Sequence, residues 1–252
     1  FFGLPSAMTN DFYAPKVSEK GGEVFDPYQD VSMGTSIFAC KFKDGVILCA
    51  DSRTSMGSYI ANRTSNKLTQ VADKVFCCRS GSAADTQAVA EMVTHYVDQH
   101  SMEKGSPAQV KTVAKLFQLI CYNNRNALSA GIIVAGWDKL NGGSVWSVPI
   151  GGALIEQDYV IGGSGSTYIY AWCDANWKPD MTEEECLAFV RGGIAHAMAR
   201  DGSSGGVIRS VVITEKETKN FTLGWNEVPY TLESDKRIET LNNPTAPVSV
   251  SV

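Results

Sequence analysis

Residues 34–68 read GTSIFACKFKDGVILCADSRTSMGSYIANRTSNKL, and the first half of this stretch decides the fold. Residues 36–42 alternate as a half-buried strand does, and VILCA at 46–50 follows as a second apolar run. Only Lys43-Asp44-Gly45 separates them, a turn with the glycine that a tight hairpin needs. Two strands joined this closely must run antiparallel, because a parallel pair needs a long crossover. A doubly wound nucleotide-binding sheet is therefore disfavoured from the first elements of the chain. The polar stretch from Asp51 to Asn66 reads as turns or an exposed excursion, with short strands resuming at Lys67-Leu68 and over 74–79.

Helices are expected next. Val89, Met92, Val93, Tyr96 and Val97 share one face between Ala83 and His100. Gly105 ends that segment, and Ser106-Pro107 reads as a cap with proline at the first helical position. Val110, Val113, Ala114, Phe117, Ile120 and Cys121 form the stripe of a second helix. Strands return over 130–161, with a hairpin loop at 139–143, and a short helix is expected near Ser166. Thr182 and Glu185 make a capping box for a third long helix, where Gly192-Gly193 implies close backbone packing. Residues 207–214 and 219–225 are read as a last hairpin. Strands, two helices, strands, helix, strands is the order of an α+β fold with antiparallel sheets. Four layers, αββα, would bury both faces of both sheets.

Composition narrows the function classes. The 252 residues are 44% hydrophobic and 19% charged, enough for a sizeable core and too apolar for wholesale disorder. The net charge is -5 with no long basic run, so no nucleic-acid partner is expected. No apolar run is long enough to cross a bilayer, and the first residues lack the positive start of a signal peptide. The 7 cysteines have no zinc-like spacing and read as buried thiols; Cys77 and Cys78, adjacent in a strand, should face opposite sides. Metals and cofactors are not expected. GGSGS at 162–166 satisfies neither phosphate-loop pattern.

The quoted stretch resembles the start of a mature proteasome beta subunit. Asp51 in CADSR, Lys67 in SNKL, RSGSAADTQ at 79–87, GGSGS from Gly162 and RDGSSGG at 200–206 continue the resemblance in order. RSGSAADTQ and SYIANR are similar to the caspase-like (beta type-1) class within the N-terminal nucleophile hydrolases. The family's fold is the four-layer αββα sandwich. By this resemblance residues 1–34 are an N-terminal extension or propeptide, 35–228 the beta-type domain and 229–252 a C-terminal tail.

The resemblance also implies roles. Cutting between Gly34 and Thr35 would free an α-amino group, whose ordinary pKa of about 7.7–8.0 suits a base for the Thr35 hydroxyl. Lys67 would lower the pKa of that hydroxyl and Asp51 would hold Lys67. Asp201 and Ser204 would orient the amino group, with Ser164 in the same network. The Gly81 N–H would serve the oxyanion, the backbones of Ser55 and Ala83 would hold substrate as an added strand, and Arg79 would read an acidic side chain. Taken singly, Asp51 could merely start a turn, Lys67 end a strand, and Asp201 and Ser204 shape a helix end. The implied partners are the other beta subunits of a seven-membered ring, alpha-ring subunits, a second beta ring, polypeptide substrates and assembly factors. The implied location is cytoplasm and nucleus. The competing expectation is an unprocessed precursor or a structural, non-catalytic ring member.

Overall fold

A computed structural model of the chain describes residues 34–229. The first hairpin forms as read, β1 (Ile37–Phe42) pairing with β2 (Gly45–Ala50) in antiparallel register from Ile37↔Ala50 to Phe42↔Gly45. The polar excursion holds a small hairpin, β3 (Thr54–Met56) with β4 (Tyr59–Asn62). Next come β5 (Leu68–Ala72), β6 (Val75–Gly81), α1 (Ala83–Lys104) and α2 (Val110–Asn123). The second strand block is β7 (Ala130–Asp138), β8 (Gly142–Val148), β9 (Ile155–Glu156) and β10 (Tyr159–Gly162). A 3-10 turn (Ser164–Tyr168) leads into α3 (Tyr170–Asn176), then α4 (Glu183–Arg200), β11 (Ile208–Thr214) and β12 (Thr218–Leu223).

Two five-stranded antiparallel sheets result, β10-β1-β2-β11-β12 and β5-β6-β7-β8-β9. The alternation of β1 and β2 assigns their two faces. Ile37, Ala39, Val46, Leu48 and Ala50 meet Leu68, Phe76, Cys78, Ile133 and Ala135 between the sheets. Phe38, Cys40, Phe42, Ile47 and Cys49 point the other way, onto Cys173 of α3 and Cys186, Val190 and Ile194 of α4. Beyond the second sheet, α1 and α2 pack Val89, Val93, Val113 and Phe117 against Val75, Cys77 and Val134. The layers are therefore helix, sheet, sheet, helix. Cys77 and Cys78 do lie on opposite faces.

The capping box of α4 is present: Thr182 accepts from the Glu185 N–H, and Glu185 accepts from the Thr182 N–H. A Cβ on Gly193 would press into the Phe38 ring, which is why glycine stands inside this helix despite its helix-forming cost. Two expectations need correction. The second helix does not begin at Ser106-Pro107 but at Val110, whose N–H donates to the Asp138 carboxylate at 3.1 Å. The cap comes from the end of β7, so no local signal marks it. The 51–66 excursion is not only turns, because β3 and β4 pair there; β4 is exposed throughout, which leaves no apolar alternation to read. Apart from Gly34 and Pro229, the expected extension and tail lie outside the described residues.

Candidate active site

Thr35 lies just before β1 and is buried, 5% exposed. Strand ends and turns from both sheets converge on it. Asp51 sits where β2 stops, Lys67 just before β5, Ser164 in the turn after β10, and Asp201 and Ser204 where α4 ends.

Asp51 is wholly buried and its two oxygens are saturated. Oδ1 accepts from Lys67 Nζ at 2.7 Å and the Ser36 N–H at 2.9 Å; Oδ2 accepts from the Arg53 and Gly205 N–H groups, each at 3.1 Å. Such a set satisfies the hydrogen-bonding capacity of a carboxylate held away from water. Burial pulls the Lys67 pKa down from the ordinary 10.5, opposed by the charge and hydrogen bond of Asp51 and the charge of Asp201. Lys67 also donates to the Gly34 carbonyl at 3.3 Å, and Thr35 Oγ1 donates to the same oxygen at 2.7 Å. Two donors thus polarise the carbonyl of the Gly34–Thr35 peptide.

A second carboxylate organises the nitrogen side. Thr35 N donates to Ser164 Oγ at 3.1 Å, and Ser164 Oγ donates to Asp201 Oδ2 at 2.7 Å. Ser204 Oγ donates to that same oxygen at 2.6 Å, while Asp201 Oδ1 accepts from the Ser203 N–H. The backbone fits too closely for side chains. A Cβ on Gly34 would overlap Ser203, and one on Gly163, at φ 82, would overlap the Thr35 carbonyl oxygen.

Gly81 ends β6 at φ 102, and a cleft of about 600 Å3 runs between it and Ser164, walled by Ile37, Gly131 and Ile133. Arg79 is half-buried and pinned by three donations, to Thr69 Oγ1 at 3.0 Å, the Asn66 carbonyl at 2.9 Å and Thr86 Oγ1 at 3.4 Å. Among the described residues no carboxylate forms an ion pair with it. Ser55 lies in β3, whose other edge pairs with no described strand, and Ala83 is the exposed first residue of α1. Thr35, Asp51, Lys67, Ser164, Asp201 and Ser204 are therefore brought into one hydrogen-bonded cluster. Arg79, Gly81 and Ala83 follow one another along the β6–α1 corner, tied to the cluster by the Arg79 N–H, which donates to the Lys67 carbonyl at 3.0 Å.

Sequence reading missed Ser36. Its hydroxyl lies 2.7 Å from Ser204 Oγ, and its N–H is one of the four donors to Asp51. A signal existed: Ser36 begins the series Ser36, Phe38, Cys40, Phe42, and it is a hydroxyl where the alternation calls for an apolar side chain. The Gly205 N–H left no such signal, because backbone donors have no sequence signature.

The family model described as "Proteasome subunit" matches residues 31–213. "Proteasome subunit beta type-6" of Dictyostelium discoideum is 53% identical over 199 residues, covering 79% of this chain and 93% of the relative. "Proteasome subunit beta type-1" of Saccharomyces cerevisiae is 52% identical over 185 residues, covering 73% and 86%. "Proteasome subunit beta type-9" of Oryzias latipes is 46% identical over 211 residues, covering 82% and 97%.

Proposed function

Starting from the chain's membership of the proteasome beta-subunit family, we propose that it is a caspase-like threonine endopeptidase of the 20S core, activated by its own cleavage before Thr35. One observation carries this reading: the Gly34–Thr35 peptide is buried between two hydrogen-bonded carboxylate clusters, with Thr35 Oγ1 and Lys67 both on the Gly34 carbonyl. Cleavage begins when Thr35 Oγ1 adds to the Gly34 carbonyl carbon, and the hydroxyl proton ends on the departing Thr35 nitrogen. The bond to Thr35 N then breaks, leaving an ester on Oγ1 and a free amine. Water hydrolyses the ester to the Gly34 carboxylate and restores the hydroxyl.

The same groups then act on substrate. The new amine, held by Ser164 and oriented through Asp201, accepts the Oγ1 proton as the hydroxyl attacks a peptide carbonyl. As an ammonium, Lys67 stabilises charge on Oγ1, and Asp51 keeps it in place. The Gly81 N–H stabilises the substrate oxyanion. The departing amine takes its proton from the Thr35 ammonium, and water releases the acyl group. Arg79, charged and free of carboxylate partners among the described residues, supports preference for Glu or Asp before the cut bond. Its three donations keep the guanidinium from swinging to another partner.

The same membership supports ring assembly with other beta subunits, against alpha rings and a second beta ring, and the location proposed with it is cytoplasm and nucleus. Met56, Tyr59 and Trp225 are 62%, 69% and 79% exposed on the lone chain, apolar surface that subunit neighbours would cover. The test compares fluorogenic peptides ending in Glu, Leu and Arg in particles whose other active subunits are disabled. Arg79→Ala should depress cleavage after Glu far more than after Leu, and Thr35→Ala should abolish both cleavage and processing. Equal losses for Glu and Leu in Arg79→Ala would remove the caspase-like assignment. Assembled particles that retain residues 1–34 would assign a structural role.

A further inference from the structure

Ser36 is 1% exposed, and two backbone bonds fix it. Its N–H donates to Asp51 Oδ1 at 2.9 Å, and its carbonyl accepts from the Asp51 N–H at 3.1 Å. Its hydroxyl is thereby held 2.7 Å from Ser204 Oγ. The direction of that bond follows from proton count. A hydroxyl has one proton, and a carboxylate oxygen only accepts. Ser204, also 1% exposed, gives its proton to Asp201 Oδ2 at 2.6 Å, so Ser36 must be the donor to Ser204. Ser164 gives its own proton to the same Asp201 oxygen and therefore faces Thr35 N as an acceptor. Space is reserved for this arrangement, since a Cβ on Gly165 would overlap Ser36 Oγ.

We propose that Ser36 is a positioning residue that tunes the basicity of the Thr35 amine through Ser204, Asp201 and Ser164, a role that rests on the reading of Thr35 as nucleophile. Donation from Ser36 makes Ser204 a stronger donor and so withdraws charge from Asp201 Oδ2. Without it Asp201 is more basic, the Ser164 proton is drawn toward Asp201, and Ser164 Oγ becomes more negative. A more negative oxygen against the amine favours the ammonium, which raises the pKa at which the base becomes available. The other charged groups around the site are Asp51 after β2, Arg53 beyond it, Lys67 before β5 and Asp201 after α4. The turn after β10 brings only serine and glycine over 162–166, and Arg79 on β6 is turned to Thr69, Thr86 and the Asn66 carbonyl. Replacing Ser36 alters the charge of none of them.

The test is the pH profile of kcat/KM at this subunit, in assembled particles whose other active subunits are disabled. Ser36→Ala should move the acidic limb up by about half a pH unit, about a threefold loss on that limb that vanishes on the alkaline plateau. Ser36→Thr keeps the hydroxyl and should restore the profile. Ser36→Cys, a weaker donor of similar size, should shift the limb less but in the same direction, and it serves if the alanine variant does not assemble. A profile lowered by one constant factor at every pH, or one left unchanged, would overturn the proposal, as would a threonine variant as impaired as alanine. Thr35→Ala is run alongside: activity surviving there removes the nucleophile and the role of Ser36 with it, whereas its loss with an unshifted Ser36→Ala profile removes the role of Ser36 alone.

Discussion

Asp51→Asn is the most informative single change, because every acceptor position of the carboxylate is in use. Whichever oxygen becomes the amide nitrogen, two donors lose their acceptor: Ser36 N–H and Lys67 on one side, or the Arg53 and Gly205 N–H groups on the other. Each orphaned buried donor costs about 1–3 kcal/mol. Lys67, 7% exposed, also loses its counter-charge, and breaking a buried pair costs about 3–5 kcal/mol. That second cost is limited because Lys67 can shed its proton, so the two together come to about 5 kcal/mol. In a domain of this size such a loss lowers Tm by about 10–20 °C. Lys67→Met leaves Asp51 with three N–H donors and should cost about 3 kcal/mol. In the double variant no buried cation is stranded, so it should be about as stable as Asp51→Asn alone, a coupling of about 3 kcal/mol. Thermal unfolding of the purified precursor chain, followed by the fluorescence of core tryptophans such as Trp146, measures the cycle. Losses that add to within about 0.5 kcal/mol would show that the two groups do not support each other.

Three further outcomes are expected. Gly163→Ala should reduce activity by more than its loss of stability explains, since φ 82 is strained for alanine and its Cβ would displace the Thr35 carbonyl; parallel losses in activity and Tm would contradict this. His196, half-buried beside Trp172, is held by burial below its ordinary 6.5. Its unfolded form therefore takes up a proton first, so the stability it contributes above pH 6.5 is lost as pH falls toward its lower folded value, and His196→Gln should flatten that slope in unfolding experiments. All 7 cysteines are buried, and burial pushes Cys49 and Cys77 up to about 12. Iodoacetamide at neutral pH should label none in the native chain and all of them after denaturation, which mass spectrometry can count.

The layers were legible because β1 alternates, β2 follows it as an apolar run across a tight turn, and α4 carries its own capping box. Where the determinants were distant in sequence, reading failed. The start of α2 is set by Asp138 from β7, and the β3–β4 pair is too solvent-exposed to leave an apolar pattern. The site shows the same division. Asp51 and Lys67 are each ambiguous alone, and only the fold places Nζ 2.7 Å from Oδ1. Ser36 carried a readable anomaly, a hydroxyl on an inward face, but its partner Ser204 lies 168 residues away. Arg79 was legible as a cation near the β6–α1 corner, whereas the three acceptors that fix its direction were not.

The most direct measurement traps the nucleophile. Assembled particles are treated with a peptide bearing an acidic residue next to a C-terminal vinyl sulfone, and the modified chain is digested and sequenced by mass spectrometry. The expected product is a chain that begins at Thr35 and carries the adduct on the Thr35 side chain or its amine, with no adduct in Thr35→Ala particles. An adduct on any other residue of this chain, or labelling of a chain that still carries residues 1–34, would contradict the assignment of Thr35 as the nucleophile released by cleavage after Gly34.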